Sequence, residues 1–227
     1  MRRLSMIGLA LMAVLALGAF ASTTAFALPE LLPHGTWTGN DDGGAAKPTL
    51  EILGGGILPI ECAAATGEGA DETDTLGLFH IMFTGCHLKT TATRCESAGD
   101  TAETILALGT YHYVDDFLGT AATLGVAILF LPDHLHLTCL TAVNTLILVL
   151  GPGPLCLILE PLSLKLSHLF HCEQQAGTQK ERTYWDDAGK EVKAALKCTV
   201  SEGAEVECGE LALGEVTYTV AQAFMNH

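Results

Sequence analysis

Positive charge is scarce in this chain of 227 residues, with 11 lysines and arginines against 26 aspartates and glutamates and a formal net charge of -15. Phosphate neutralisation needs clustered Lys and Arg, so nucleic acid is not an expected partner, and anionic membrane surfaces are disfavoured for the same reason. Aromatic residues are few, at 6%, which leaves Trp37, Tyr184 and Trp185 as the candidates for a stacking surface. No Cys-x-x-Cys and no Cys-x-x-Cys-His occurs, so zinc ribbons, thioredoxin-type redox centres and c-type haem attachment have no support. Of the serines after residue 27 (Ser97, Ser163, Ser167 and Ser201), none sits in Gly-x-Ser-x-Gly, and the nucleophile elbow of the hydrolases is missing with it.

What is present begins with a leader. Arg2-Arg3 is followed by an almost uninterrupted apolar run from Met6 to Ala21 and then by Ala25-Phe26-Ala27. A short charged start, an apolar core and an Ala-x-Ala site predict a signal-peptide helix over 1–27, removed on export. Arg2 and Arg3 leave with it and no acid does, so -15 becomes -17 for the exported chain. The expected location is secreted, either extracellular or loosely associated with the cell envelope, without an integral membrane segment.

All eight cysteines follow residue 27. An even count in an exported chain predicts four disulfides. About 200 residues bury roughly 70% of the surface of the unfolded chain, so such bridges reinforce a core and do not replace one.

Residues 28–48 form a Gly, Pro and Asp-rich entry segment, and from Thr49 to residue 227 short apolar runs are cut by Gly, Pro, Asn and Asp. This is the pattern of strands. It predicts an all-β domain, an antiparallel β-sandwich or flattened barrel stapled by disulfides, with a possible division into two sub-sheets near 161–177. "TLEIL-GGG-ILPIEC" and "RTYW-DDAG-KEV" read as hairpins, and "TLILVL" and "LCLILE" read as a buried hairpin turning at Gly151-Pro152-Gly153-Pro154. The stretch from Thr138 to Leu159 carries no charge and meets the length of a membrane-spanning helix, but its Gly-Pro pairs would break one.

Alternation on either side of "SEGAE" puts Cys198 opposite Cys208 and predicts a bridge there. Cys86 and Cys95 bracket "HLKTTATR" in the same manner and predict a second local bridge. Cys62, Cys139, Cys156 and Cys172 remain, with three pairings open.

The sequence of "LEILGGGILPIEC", "FTGCHLKTTATRCESAGD", "LHLTC" and "GTQKERTYWDDAGKEV" resembles a group of secreted actinobacterial proteins to which no function is assigned. The resemblance covers most of the chain after the leader. It rests on Gly and Cys positions, so it implies a shared scaffold and supplies no catalytic residues.

Three constellations invite a ligand. In a strand, His134 and His136 share a face while Leu135, Leu137 and Cys139 take the other. Two imidazoles could thus hold Zn²⁺ if His112, Asp115, Asp116 or Asp133 joined them, while the alternative is an ordinary solvent face of an amphipathic strand. "GEGADETD" with Asp71 and Asp74, and "GNDDGG" with Asp41 and Asp42, offer oxygens to Ca²⁺ without the EF-hand spacing; solvated turns compete with that reading. Tyr184-Trp185 precedes a turn, where it either forms a binding edge or packs the sheet end. No cofactor is expected beyond these two ions.

These features lead to a non-enzymatic extracellular or cell-surface interaction module, with an extracellular protein or a glycan as partner. Two rivals stand beside it: a zinc-dependent enzyme or binding protein using His134 and His136, and a carrier for an apolar ligand, suggested by the apolar stretch from Phe117 to Phe170. An unfilled interior cavity distinguishes the carrier.

Overall fold

The structure is a computed structural model that describes residues 30–32, 34–41, 47–52, 59–117, 124–133, 135–141, 145–161, 163–175, 178–179, 183–185, 190–201 and 203–225. The expected leader over 1–27 therefore lies outside the described residues. Those residues form strands and no helix, and the all-β expectation holds.

In chain order the first strands are β1 (Glu30–Leu32), β2 (Thr36–Asp41), β3 (Thr49–Ile52), β4 (Ile60–Glu61), β5 (Ala64–Asp71), β6 (Leu76–Thr84) and β7 (His87–Leu88). The middle of the chain gives β8 (Thr93–Ser97), β9 (Thr104–Phe117), β10 (Leu124–Pro132), β11 (Leu135–Cys139), β12 (Thr145–Leu150), β13 (Leu155–Ile158) and β14 (Lys165–Cys172). The last are β15 (Gln174–Gln175), β16 (Thr178–Gln179), β17 (Thr183–Trp185), β18 (Glu191–Lys193), β19 (Lys197–Val200) and β20 (Val206–Met225).

Eight strands close on themselves. Pairing runs β2, β5, β6, β9, β10, β13, β14, β20 and back to β2, antiparallel at every step. This is a barrel, with no free edge around the ring. The shorter strands continue it at one end, where β20, β3, β4, β7, β8, β11, β12 and β19 follow one another in a second closed cycle. The long strand β20 belongs to both: Val206 to Leu211 pairs with β19 and β3, and the part from Ala212 pairs with β14 and β2.

Strand alternation fills the interior. In the barrel, Trp37, Phe79, Tyr111, Tyr113, Ile128, Phe130, Val216 and Tyr218 form one buried cluster together with Cys156 and Cys172. In the second cycle, Ile52, Ile60, Leu137, Ile147, Val149 and Leu196 surround the other six cysteines. A small third cluster lies on the outer face of β9, β10 and β13, where Val114, Ala127, Leu129 and Leu155 pack with Ala194 and Tyr184. Trp37 and Tyr111 lean over the residues paired with them on the adjoining strand, Gly69 and Gly77. A Cβ on Gly69 would lie 2.3 Å from the Trp37 ring, and one on Gly77 would lie 2.2 Å from the Tyr111 ring, so both positions are glycine to admit an aromatic ring.

Four disulfides are formed: Cys62–Cys86, Cys95–Cys139, Cys156–Cys172 and Cys198–Cys208. The expected local bridge between Cys86 and Cys95 is not formed. Across the β7–β8 hairpin the Cys95 N–H donates to the Cys86 carbonyl, yet each thiol bonds to a different neighbouring strand. The partner of Cys95 is lateral: it lies directly opposite Cys139 in the β8–β11 ladder, with 4.0 Å between their Cα atoms. Cys198 and Cys208 are bonded, but with Cys198 opposite Val206, two residues away from the register that alternation alone suggests.

Two further expectations change. β12 and β13 do not form a hairpin; β12 pairs with β11 and β19, and β13 with β10 and β14. The Gly-Pro segment thus carries the chain from the second cycle to the barrel. The stretch from Thr138 to Leu159 accordingly carries the end of β11, then β12 and β13, and no helix where it is described, and no helix among the described residues is long and apolar enough to cross a membrane. The segment read as an entry, 28–48, contributes β2 as a stave of the barrel.

Candidate functional site: an apolar cavity with one buried acid

At the junction of the two cycles the interior is not filled. A cavity of about 110 Å³ lies between them, several times the space a buried water requires. Its wall is apolar: Leu50, Ile60, Leu137 and Leu196 come from the second cycle, and Phe79, Ile81, Phe83, Ala107, Phe130 and Phe170 from the barrel. A smaller void of about 40 Å³ shares Pro48, Ala65, Ile81, Phe130, Phe170 and Ala212 with it as lining and reaches Trp37, Tyr111 and Tyr218.

One charged side chain among the described residues lines the larger cavity, Glu210. Its place follows from alternation. Cys208 and Ala212 point inward, the first into the disulfide cluster and the second into the barrel cluster, and Glu210 between them must share their face. Across the ladder it stands opposite Leu50, which stands opposite Ile60. Glu210 keeps partial exposure as a residue, yet protein surrounds its carboxyl, and burial pushes the carboxyl up to about 7.

The barrel end away from the disulfides is closed by a polar chain. Trp37 Nε1–H donates to the Tyr111 hydroxyl at 3.0 Å, and Tyr111 donates to Asp71 Oδ1 at 2.6 Å. Tyr113 donates to the same oxygen at 3.0 Å. Since that uses its only proton, the 3.0 Å bond between Tyr113 and Tyr218 has Tyr218 as donor. Asp71 Oδ2 accepts from the Gly35 N–H at 3.2 Å. Burial raises the Asp71 carboxyl above the usual range although its hydrogen bonds oppose the shift, and burial raises Tyr111, Tyr113 and Tyr218 as well.

The residues singled out in the sequence do not gather here, with one exception. Trp37 is buried in the floor of the barrel at 7% exposure and offers no face to solvent, so it is not a stacking surface; its indole N–H is spent on Tyr111. Tyr184 is half-buried against the outer cluster, and the side chain of Trp185 lies outside the described residues. His136 is exposed on β11 while Leu137 and Cys139 are buried on the opposite face, as the alternation requires; His134 lies outside the described residues. Asp71 gives its oxygens to tyrosines and Gly35, and Asp74 pairs with His34, so the two do not turn toward a common ion. Asp41 accepts from the Ala65 N–H at 3.2 Å, and Asp42 lies outside the described residues. Among the described residues no three His, Cys, Asp or Glu side chains are grouped to hold a metal.

Glu210 was not singled out. The signal existed in "CGELALGEV", where Glu210 has the parity of Cys208 and opposes that of Glu205 and Glu207; extending the alternation two residues past the cysteine would have found it. No family model, no curated protein and no solved structure matches the chain.

Proposed function

We propose that the protein is a secreted, non-enzymatic carrier that holds a small apolar ligand in the barrel interior. The observation that carries this reading is the apolar cavity of about 110 Å³ at the junction of the two cycles. Interiors pack like organic crystals and seldom keep voids above the size of a water, and an eight-stranded barrel is the size at which the interior is either filled by side chains or holds one small ligand. Four disulfides suit a scaffold that keeps such a space open outside the cell. The test is titration of the exported protein with toluene, followed by the methyl resonances of the cavity leucines and isoleucines. Saturable shifts confined to Leu50, Ile60, Ile81, Ile105 and Leu137 support the carrier; no shift at the solubility limit of toluene overturns it.

The surface-module reading keeps one observation of its own. Leu164 and Leu166 are 71% and 54% exposed, and Leu169 and Val220, on the paired strands β14 and β20, are exposed as well; exposed apolar side chains are what partner proteins cover. Both readings describe a binding protein without turnover.

A further inference from the structure

We infer that His168 is an acid-operated latch on the barrel end away from the disulfides: a second proton on its ring frees the end of β20 and opens the interior to solvent. The consequence for a ligand rests on the carrier reading, whereas the release of the strand does not.

His168 stands where a latch would act. Along β14 the residues Cys172, Phe170 and His168 share the inward face, and Cys172 lines the larger void while Phe170 lines both. His168 is the next inward residue beyond them and is buried. Its ring meets that of Phe224 edge-on at 5.0 Å between centroids, and that of Tyr218, which lines the smaller void, at 6.2 Å.

The strand it holds leaves the regular ladder at this point. Ser167 pairs with Thr217, but Lys165 pairs with Gln222, so the register breaks between them. Beyond the break, the end of β20 is held by its three pairs with β1, by the Phe224 N–H on the Pro161 carbonyl, and by His168 Nε2, which donates to the Gln222 carbonyl at 3.0 Å. Gln222 is fully buried against Gly35. Neither polar atom of its side chain has a hydrogen-bond partner among the described residues, and water would supply both on opening.

One proton shifts this balance. A carbonyl only accepts, so Nε2 carries the proton of the neutral ring and Nδ1 is a bare lone pair. Nδ1 is buried and has no hydrogen-bond partner among the described residues, so a proton there would sit unreceived between two aromatic rings. Burial accordingly lowers the His168 imidazole from its ordinary 6.5. The surrounding charges do not compensate. Lys165 on β14 and Glu160 in the turn before it act on the ring in opposite senses and pair with each other at the surface. Tyr218 on β20 and Tyr113 on β9 are raised by burial and stay neutral. Asp71 on β5 accepts from Tyr111 and Tyr113, and His34, next to Gly35, pairs with Asp74. Once the end opens, the imidazole returns to water, so the opening constant rises about tenfold for each pH unit from 6.5 down to the lowered value.

The experiment is amide hydrogen exchange by NMR on the whole exported chain at pH 7.5 and pH 5.0, with the toluene dissociation rate measured alongside. It compares the native protein with His168→Gln, which keeps a donor but does not titrate, and with Gln222→Met, which removes the buried amide and keeps the carbonyl. In the native protein the protection factor of the Phe224 N–H should fall about fivefold or more on acidification, while the amides of β6 keep theirs. His168→Gln should hold Phe224 within about twofold over the same range, and Gln222→Met should protect it about fivefold more than the native protein at pH 5.0. Toluene should leave the native protein about fivefold faster or more at pH 5.0, and His168→Gln at an unchanged rate. Protection of Phe224 that does not respond to pH, or that falls equally in His168→Gln, overturns the latch. So does a loss shared by the amides of β6, which would be unfolding of the whole barrel. If Phe224 is released but toluene leaves no faster, the opening of the interior is overturned and the carrier reading stands. If toluene binds at neither pH, the carrier reading fails and the exchange of Phe224 decides the latch. Should His168→Gln not fold, Gln222→Met decides, and protection no greater than native at pH 5.0 overturns the inference.

Discussion

The hydroxyl of Tyr111 donates to Asp71 at 2.6 Å while accepting the indole N–H of Trp37 at 3.0 Å, so one buried tyrosine joins β2, β5 and β9 at the end of the barrel. All three residues are less than one-tenth exposed. Tyr111→Phe would leave the Trp37 N–H without its acceptor and remove one of the donors on Asp71. A buried donor left unmade costs about 1–3 kcal/mol, and denaturant unfolding of Tyr111→Phe should show a loss of that size. Gly77→Ala should cost more than the usual fraction of a kcal/mol for this exchange, because its Cβ would meet the Tyr111 ring at 2.2 Å. A neutral result for both would mean that the polar chain does not organise the barrel end.

The disulfides give an order of effects. Cys95 and Cys139 are 44 residues apart, whereas Cys198 and Cys208 are 10 apart. Chain-entropy reasoning assigns about 4 kcal/mol to the longer closure and about 3 kcal/mol to the shorter. Replacing Cys95 and Cys139 together by alanine should therefore lower stability more than replacing Cys198 and Cys208. Peptide mapping without reductant should recover Cys62 linked to Cys86 and Cys95 linked to Cys139. Recovery of a Cys86–Cys95 peptide would contradict the lateral pairing described above.

That pairing marks where sequence reading runs out. Alternation within a strand is local, so the inward face of β11 with Leu137 and Cys139, and the outward place of His136, were legible from "HLHLTC". Which strand lies beside β8 is not local. The hairpin rule favoured Cys86–Cys95, and only the closure of the second cycle, which brings β11 alongside β8, decides for Cys139. The same holds for "TLILVL" and "LCLILE". Their apolar character was visible, but not that Gly151 to Pro154 sends them into different cycles. β2 was hidden by composition, because Gly39, Asn40 and Asp41 look like a turn until Trp37 and Gly39 are seen to face the barrel interior. Glu210 was missed for a simpler reason: the alternation was stopped at Cys208.

Buried acids make stability depend on pH in a stated direction. The Glu210 carboxyl sits at about 7 in the folded protein against an ordinary value of 4.5, so between those values the folded state holds a proton that the unfolded chain has released. Its contribution is full below about 4.5 and is lost as pH rises to 7. The shift corresponds to about 3 kcal/mol. Asp71, also raised by burial, adds in the same direction, while His168, lowered by burial, opposes both by favouring the folded state as pH rises through the ordinary histidine value. Glu210→Gln isolates one contribution: its stability should exceed that of the native protein above pH 7 and approach it near pH 4.5. Parallel curves for the two proteins between pH 5 and 8 would show that Glu210 is not buried as described.

Ala107 faces the cavity from the middle of β9, beside Phe79 and Phe130 in the barrel cluster, and tests whether the empty space has a purpose. Ala107→Leu would project three more carbons into the void. Filling it should stabilise the fold by about 1–2 kcal/mol at roughly 0.8 kcal/mol for each buried methylene, less whatever strain the neighbours take up. A protein selected for stability alone gains by that exchange. A carrier loses its ligand. Thermal unfolding of Ala107→Leu should therefore give a melting temperature at or above the native one, while toluene no longer shifts the methyl resonances of Leu50 and Ile60. A destabilised variant would mean that the cavity is too narrow for the added carbons, and retained binding would place the ligand elsewhere on the molecule. The combination of higher stability and lost binding is the outcome that marks the cavity as a site kept open at the expense of packing.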